Sequence, residues 1–444
     1  MREALQSLGP LYVKFGQMLS TRPDFLSPVM IEELGKLHDQ VSPAPFADFE
    51  AVLAAEFGAR WPRLFREIDP VPLGTASLAQ VYRAELADGT PAAVKIQRPG
   101  AEAVMNRDTA SLRRTARLIA RMAPRFTEMI DLHAMLGVLF DAMAGETDFR
   151  KEAGHMRNAQ RLTERFAHLT VPRVLYDPTP RVLVQSLAPG TSIRDADPVS
   201  FTEEERVGIG TDLMAFMYRG FFVDRYFHAD PHPGNIFVAP GRPAHLIDWG
   251  MVGRVDAHVG RHLVLAMMHI AAGDGAGLAR TWTEMGALTD RADLPGFRSD
   301  LESLVPAVAS ASLGELDFGV TLTAVLRHST RRGIRTSPAI ALLGKSFANL
   351  EGSIRHLCPE LSLTDVFVDS LGGIALGLAK ENLSAQQAVR TVLGLLASIP
   401  GRVQQVRDIL LNPVGHTAPG RAATPSPQDF VVLLAALRGH RRDG

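Results

Sequence analysis

Residues 228–238 read HADPHPGNIFV, and the prolines in that run rule out a continuation of any helix leading into it. Pro231 and Pro233 each fix φ and remove a backbone donor, and Gly234 adds a further breaker, so the stretch must be a stiff loop. Such a loop holds Asp230 and Asn235 in a fixed relation, while the apolar AHLI that follows reads as a strand ending at Asp248 and Gly250. One carboxylate beside an incoming hydroxyl, with a carboxamide and a second carboxylate as hard oxygen ligands, is the set that Mg²⁺ on a nucleoside triphosphate needs. Taken singly, Asp230 and Asn235 would pass as turn residues satisfying local backbone groups. The Asp248 turn downstream makes that plain reading the weaker one. His228 and His232 stand four apart, but Pro231 prevents the helix that would align them for zinc, and His228 is expected to support the loop through a backbone hydrogen bond.

Lys95 stands in AAVKIQ, an apolar strand pattern in which an ammonium is costly unless paired. The acidic partner is expected to be Glu152, in GETDFRKEAGH, which would hold the lysine against the α- and β-phosphates. The alternative is a lysine pointing outward from an edge strand. No GxGxxG covers the phosphates. In its place PLGTASLAQVYRA (72–84) offers Gly74, Thr75, Ala76 and Ser77, where only Gly74 keeps full backbone freedom and Ala76 resists a positive φ.

A formal charge of −1 gives no footprint for nucleic acid. The single cysteine, Cys358, forms no internal disulfide, and the absence of a Cys/His cluster fits a reducing cytosol with Cys358 in a core or at a helix end. MREALQSLGPLYVKFGQ lacks the pattern of a secretory signal, and LVLAMMHIAAG (263–273) and VLGLLASIP (392–400) fall short of the roughly 20 apolar residues of a spanning helix. The expectation is a cytoplasmic protein with at most a peripheral contact on the inner face of the membrane. Arg438, Arg441 and Arg442 beside an apolar tail suit that contact, although a solvated helix end is the plainer reading.

At 444 residues the length prior is about three units. Residues 1–45 read as helices, with Leu5, Leu8, Leu11 and Tyr12 at helical spacing and a second periodic run over Val29 to Leu37. From 46 to 187 the pattern is a small mixed lobe: a hairpin of VYRAEL and PAAVKIQ around Asp88 and Gly89, an arginine-rich helical stretch over 101–166, and short strands at 169–176 and 181–187. Thr202 and Glu205 form a capping-box signature before a helix to about 219. From 188 to 411 the chain reads as a helical lobe, with no convincing strand beyond 255. Residues 412–444 read as a linker and short tail.

Short signatures in order now identify a resemblance to the UbiB-like (AarF-like) atypical kinases. KFGQ (Lys14 to Gln17) is similar to that family's KxGQ element, GTAS (Gly74 to Ser77) to its alanine-rich loop, and ETD (Glu146 to Asp148) to its ExD element. Glu152, HADPHPGN and DWG complete the set, over about residues 1–360. The resemblance implies an α+β fold of two kinase-like lobes, with an N-terminal helical KxGQ extension laid across the site where a protein substrate would dock. It implies that Lys14, Gln17, Glu146 and Asp148 form a regulatory extension, that Asp230, Lys95 and Glu152 are catalytic, and that Asn235 and Asp248 hold Mg²⁺. It also implies ATP or ADP against Gly74, Thr75, Ala76, Ser77 and Lys95, and a lipid or quinone-like small molecule as the further partner. Two positions depart: Ser186 stands where relatives carry a glutamate between the lobes, and His155 replaces an asparagine.

The leading expectation is an atypical kinase or ATPase serving isoprenoid quinone or membrane lipid biosynthesis or handling. A small-molecule phosphotransferase similar to aminoglycoside or choline kinases shares HxDxHxxN and DW, but KFGQ, GTAS and ETD argue against it. A nucleotide-gated binding module without turnover is the third class, weakened by the intact Lys95, Glu152, Asp230, Asn235 and Asp248.

Overall fold

The structure is a computed structural model that describes residues 2–20, 28–37, 42–122, 136–137, 140, 147–310 and 318–381. Glu146, the end of the helical lobe and the linker and tail at 412–444 lie outside the described residues.

The expected hairpin is present. Strands β2 (Ala79–Leu86) and β3 (Pro91–Gln97) pair antiparallel, with Gly89 at φ +85° in the turn between them. Alternate side chains point to one face, so Tyr82, Ala84, Ala92, Val94 and Ile96 are all buried there. Two further strands, β1 (Phe65–Thr75) and β5 (Val182–Ser186), complete a sheet of order β1-β2-β3-β5. Sequence reading missed β1 because FREIDPVPLGT carries two prolines and few buried residues. Its place at the sheet edge is what tolerates them. The expected strand over 169–176 is only β4 (Leu169–Thr170), after which Val174 makes a single bridge to Gln185.

Helix α4 (Phe46–Phe57) covers the inner face of this sheet through Phe49, Val52 and Leu53. The Phe46 and Phe49 rings meet Tyr82 edge-on at 5.0 and 5.6 Å, a geometry that adds to the apolar burial. Arg181 and Glu56 tie helix to sheet at 2.6 Å. The extension is built from α1 (Arg2–Leu8), α2 (Pro10–Ser20) and α3 (Pro28–Gly35). Gly16, the glycine of KFGQ, faces Leu37 and Leu5 so closely that an added Cβ would lie 2.4 and 2.8 Å from their methyls. The glycine is therefore a packing requirement of the bundle. On its other side α2 buries Leu11 with Leu78, Met105 and Leu112, which docks it onto the alanine-rich loop and onto α5 (Ala101–Met122).

Next come α6 (Phe149–Thr163) and β6 (Thr191–Ser192), then α7 (Glu203–Phe222), which opens on the expected capping box: Thr202 accepts from the Glu205 N–H and the Glu205 carboxylate accepts from the Thr202 N–H. Strand β7 (Tyr226–His228) follows, then β8 (Ile236–Val238), β9 (Ala244–Leu246) and β10 (Val252–Arg254). Beyond them lie α8 (Ala257–Ala271), α9 (Gly275–Met285), α10 (Leu294–Ser310), α11 (Phe318–Arg331), α12 (Pro338–Leu357) and α13 (Leu363–Glu381). The expectation of no strand beyond 255 needs correcting: β11 (Ala287–Leu288) and β12 (Ile334–Arg335) pair antiparallel. Two residues carry too little alternation to be read from sequence. The helices share one large core around Trp249, Trp282, Tyr218, Phe221 and Phe347. Among the described residues no helix is long and apolar enough to cross a membrane.

Cys358 closes α12 inside this core, 1% exposed, and burial pushes its thiol pKa up to about 11. A thiol that is neither ionised nor reachable reacts slowly. Maleimide or iodoacetamide at pH 8 is expected to leave the native protein unlabelled over an hour and to label it fully in denaturant. Comparable labelling rates in the two conditions would contradict this packing.

Candidate active site

The cleft lies where β3, α6, the loop after β7 and the turn after β9 converge. Lys95 sits on β3 opposite Val81 and Leu183, in the middle of the sheet, so its side chain leaves a rigid strand. Its Nζ donates to both oxygens of Glu152, at 3.0 and 2.9 Å, and to Oδ1 of Asp248 at 3.0 Å. The Phe149 ring stands 5.3 Å from the same nitrogen. Glu152 is almost fully buried on the first turn of α6, where the helix dipole also favours a carboxylate. Removing either member of a buried pair strands the other charge, at a cost of about 3–5 kcal/mol.

Asp248 is a non-glycine residue at φ +56°, in the left-handed region. Asp tolerates that conformation better than most residues, yet holding it costs on the order of 1–3 kcal/mol and needs support from its surroundings. The support is visible. Trp249 is completely buried and donates Nε1–H to the Leu246 carbonyl at 2.9 Å, fixing the turn from within. A Cβ on Gly250 would lie 3.4 Å from Asp248 Oδ1, in van der Waals contact with that carboxylate. The Lys95 ammonium holds the Asp248 carboxyl well below the usual carboxylate range, against the opposing effect of burial, and Lys14 adds to the lowering.

In the loop after β7, His228 is wholly buried. Its Nε2 meets the Ile247 carbonyl at 3.0 Å and its Nδ1 meets the Asp230 N–H at 3.2 Å. Those partners select the neutral tautomer with the proton on Nε2. His228 therefore joins the Asp230 loop to the Asp248 turn, the supporting role expected of it. His232 caps the short turn Pro233–Asn235 by accepting from Gly234 N–H at 3.0 Å, and forms no metal pair with His228. Asn235 donates Nδ2–H to the Asp230 carbonyl at 3.1 Å, which leaves its Oδ1 as the oxygen available to a cation. Asp230 itself accepts from Asn349 Nδ2 at 3.0 Å, and Lys345 Nζ stands 3.6 Å from the same oxygen. Burial works to raise the Asp230 carboxyl, and Lys345, His232, Lys14 and His228 together bring it below its ordinary value.

The residues fit a magnesium nucleotide on two observations. Asn235 and Asp248 are hard oxygen donors brought to the two ends of the β8–β9 hairpin. A cation that is completed by phosphate oxygens and water suits so small a set. In the alanine-rich loop, Ser77 is buried while its Oγ lacks a hydrogen-bond partner among the described atoms. An orphaned hydroxyl there is a donor for an anion. Gly74 and Thr75 end β1 in register with Val81 and Gln80, and Ala76 N–H closes a tight turn onto the Ala79 carbonyl at 2.8 Å.

The remaining expected residues make the following contacts. Gln17 donates to the Leu37 carbonyl at 3.0 Å and so fastens α2 to the end of α3. Asp148 lies just before α6, capping it through the Arg150 N–H and gripping the Arg150 guanidinium at 2.9 and 2.8 Å. Ser186 accepts from the Arg173 N–H at 2.9 Å and belongs to the strand ladder. His155, kept neutral by burial, donates Nδ1–H to the Trp249 carbonyl at 3.0 Å, so this departure braces the DWG turn. Lys345, Ser346 and Asn349 escaped sequence reading. No local pattern on helix α12 singles them out.

Known proteins resemble this chain over most of its length. The sequence model of the ABC1 atypical kinase-like domain matches residues 36–281. An uncharacterized protein of Synechocystis is 32% identical over 365 residues, covering 80% of this chain and 89% of that one. A probable protein kinase UbiB of Azotobacter vinelandii is 31% identical over 425 residues, covering 92% of this chain and 76% of that one. Among solved structures, the complex of Rv3197 from Mycobacterium tuberculosis with erythromycin aligns with a TM-score of 0.57 at 21% identity, over 81% of this chain and 91% of that one. That likeness shows the two-lobed kinase-like fold.

The buried histidines give a pH dependence. His228, His155, His245 and His269 all have pKa values lowered by desolvation. The unfolded chain takes up those protons near pH 6.5 and the folded chain only lower, so the unfolded state binds more protons and stability falls as pH falls through that value. The melting temperature is expected to decline from pH 7.5 to pH 5.5, and to decline less in His228→Asn. A flat profile in the wild type would contradict a neutral buried His228.

Proposed function

The chain belongs to the ABC1 atypical kinase-like family, and on that premise we propose that it is an ATP-dependent phosphotransferase or ATPase that uses Mg²⁺. Its setting is isoprenoid quinone or membrane lipid biosynthesis or handling, as the name of the UbiB relatives suggests. The observation that carries this reading is the single ammonium of Lys95 held between Glu152 and Asp248. A cation so placed meets phosphate oxygens on one side and the metal-binding carboxylate on the other.

Bound Mg-nucleotide supplies the phosphoryl group and neutralises part of its charge. Glu152 keeps Lys95 extended towards the phosphates. Asp248 and Asn235 would offer oxygens to the cation from the two ends of the β8–β9 hairpin, joined by the Ile247 N–H to Asn235 carbonyl bond of 2.9 Å. Gly74 to Ser77 line the phosphates, with Ser77 Oγ as a donor. Asp230 orients the attacking hydroxyl and receives its proton. Lys14, which bears electrostatically on both Asp230 and Asp248, reaches from the extension into the same cleft, an arrangement that favours a small or lipid-like acceptor over a protein. Asp148 stabilises the start of the helix that carries Glu152. Peripheral contact with the inner face of a membrane would bring such an acceptor to the cleft.

Phosphate release from Mg-ATP by the purified protein, with and without anionic liposomes and a hydrophobic phenol, is the test. Asp230→Asn is expected to lower turnover by roughly 10²-fold or more at unchanged melting temperature. Lys14→Ala is expected to change turnover or the preference between nucleotides. Equal rates in wild type and Asp230→Asn would contradict the assignment of the base.

A further inference from the structure

Helix α12 enters the catalytic loop from behind with consecutive polar contacts. Ser346, fully buried, donates Oγ–H to the His228 carbonyl at 2.8 Å, so the position of the helix along the loop is fixed. One turn further, Asn349 Nδ2 donates to Asp230 Oδ1 at 3.0 Å, and Lys345 Nζ stands 3.6 Å from that oxygen. Lys345 and Asn349 are four apart and so share one face of the helix. The opposite side of α12 is anchored as well: Glu351 is fully buried and accepts from the Phe318 and Gly319 N–H groups at the start of α11, at 3.2 and 3.1 Å. Residues 345–349 therefore cannot slide or rotate without breaking buried contacts on both sides.

A carboxylate that receives a proton from an acceptor hydroxyl needs a defined rotamer, and a phosphoryl group leaving the nucleotide needs positive charge on the acceptor side. Lys95 serves the nucleotide side of the cleft. The loop 228–235 itself carries no lysine or arginine. We infer that α12 completes the transfer site from outside the kinase-like motifs, with Asn349 as a positioning residue for Asp230 and Lys345 as a cation that touches the phosphoryl group in flight. In that step the acceptor O–H bond breaks and its proton passes to Asp230. The acceptor oxygen forms the new bond to the γ-phosphorus, and the bond from that phosphorus to the β,γ-bridging oxygen breaks, the diphosphate keeping the electron pair. The inference rests on the phosphotransferase or ATPase reading.

Full-length wild type, Lys345→Met, Lys345→Arg and Asn349→Ala are compared in binding of Mg-ADP, in binding of Mg-ADP with fluoroaluminate as a flat phosphoryl mimic, and in steady-state ATP hydrolysis. Wild type should bind the mimic more tightly than Mg-ADP. Lys345→Met should lose about tenfold or more of that extra affinity and roughly 10²-fold in kcat, with Mg-ADP affinity and melting temperature unchanged. Lys345→Arg should restore most of the loss, and Asn349→Ala should lower kcat with little change in KM. Equal preference for the mimic in wild type and Lys345→Met overturns the inference, and so does a parallel fall in Mg-ADP affinity and melting temperature, which marks a structural role. Absence of hydrolysis in the wild type would contradict turnover alone, since the preference for the mimic still decides the role of Lys345.

Discussion

One ammonium shared by two carboxylates organises this molecule. Lys95 comes from the sheet, Glu152 from the helix packed behind it and Asp248 from a turn in the helical lobe, so the shared contact spans both lobes. Charge-assisted bonds of this kind are worth roughly 1.5–3 kcal/mol each, more than a neutral hydrogen bond, because both partners are partly withdrawn from water. The left-handed backbone at Asp248 and the buried Trp249 present one oxygen to that ammonium.

The histidines link this contact to the rest of the cleft. His228 joins the Asp230 loop to the Asp248 turn through its two ring nitrogens, and His155 joins the turn to the helix of Glu152. Neutral rings suit this work, since a proton on both nitrogens of His228 would break its bond from the Asp230 N–H. The extension is coupled by packing. Leu11 of α2 and Leu78 of the alanine-rich loop share one cluster, so a movement of the phosphate loop is felt at the helix that carries Lys14. Gly16 and Gln17 set the position of that helix within its bundle, one by close packing and the other by a bond to the Leu37 carbonyl.

Much of this was legible in the sequence wherever a local rule dominates. Asp88 and Gly89 in a turn, Thr202 and Glu205 at a helix start, and prolines in the catalytic loop each act within a few residues, and the structure has each of them in place. That Lys95 needs an acidic partner followed from the cost of an unpaired charge in an apolar strand, and Glu152 as that partner from the kinase pattern. Features set by tertiary context were hidden. Strand β1 looks like a proline-rich loop until its edge position is known, and Asp148 looks like a helical residue until its capping geometry is seen. Lys345 and Asn349 lie more than a hundred residues from Asp230 and only the packing of α12 brings them to it. Nothing local in the sequence marks a residue whose partner is chosen by the fold.

The central claim is that Lys95, Glu152 and Asp248 form one magnesium-nucleotide site, and calorimetric titration of ADP with and without Mg²⁺ addresses it most directly. Wild type, Glu152→Gln and Asp248→Asn would be compared at matched melting temperatures. The account predicts binding that depends on Mg²⁺ in the wild type, loses that dependence in Asp248→Asn, and weakens by about tenfold or more in Glu152→Gln, where Lys95 is no longer held. Affinity that is the same in all three proteins, or indifferent to Mg²⁺ in the wild type, would contradict it.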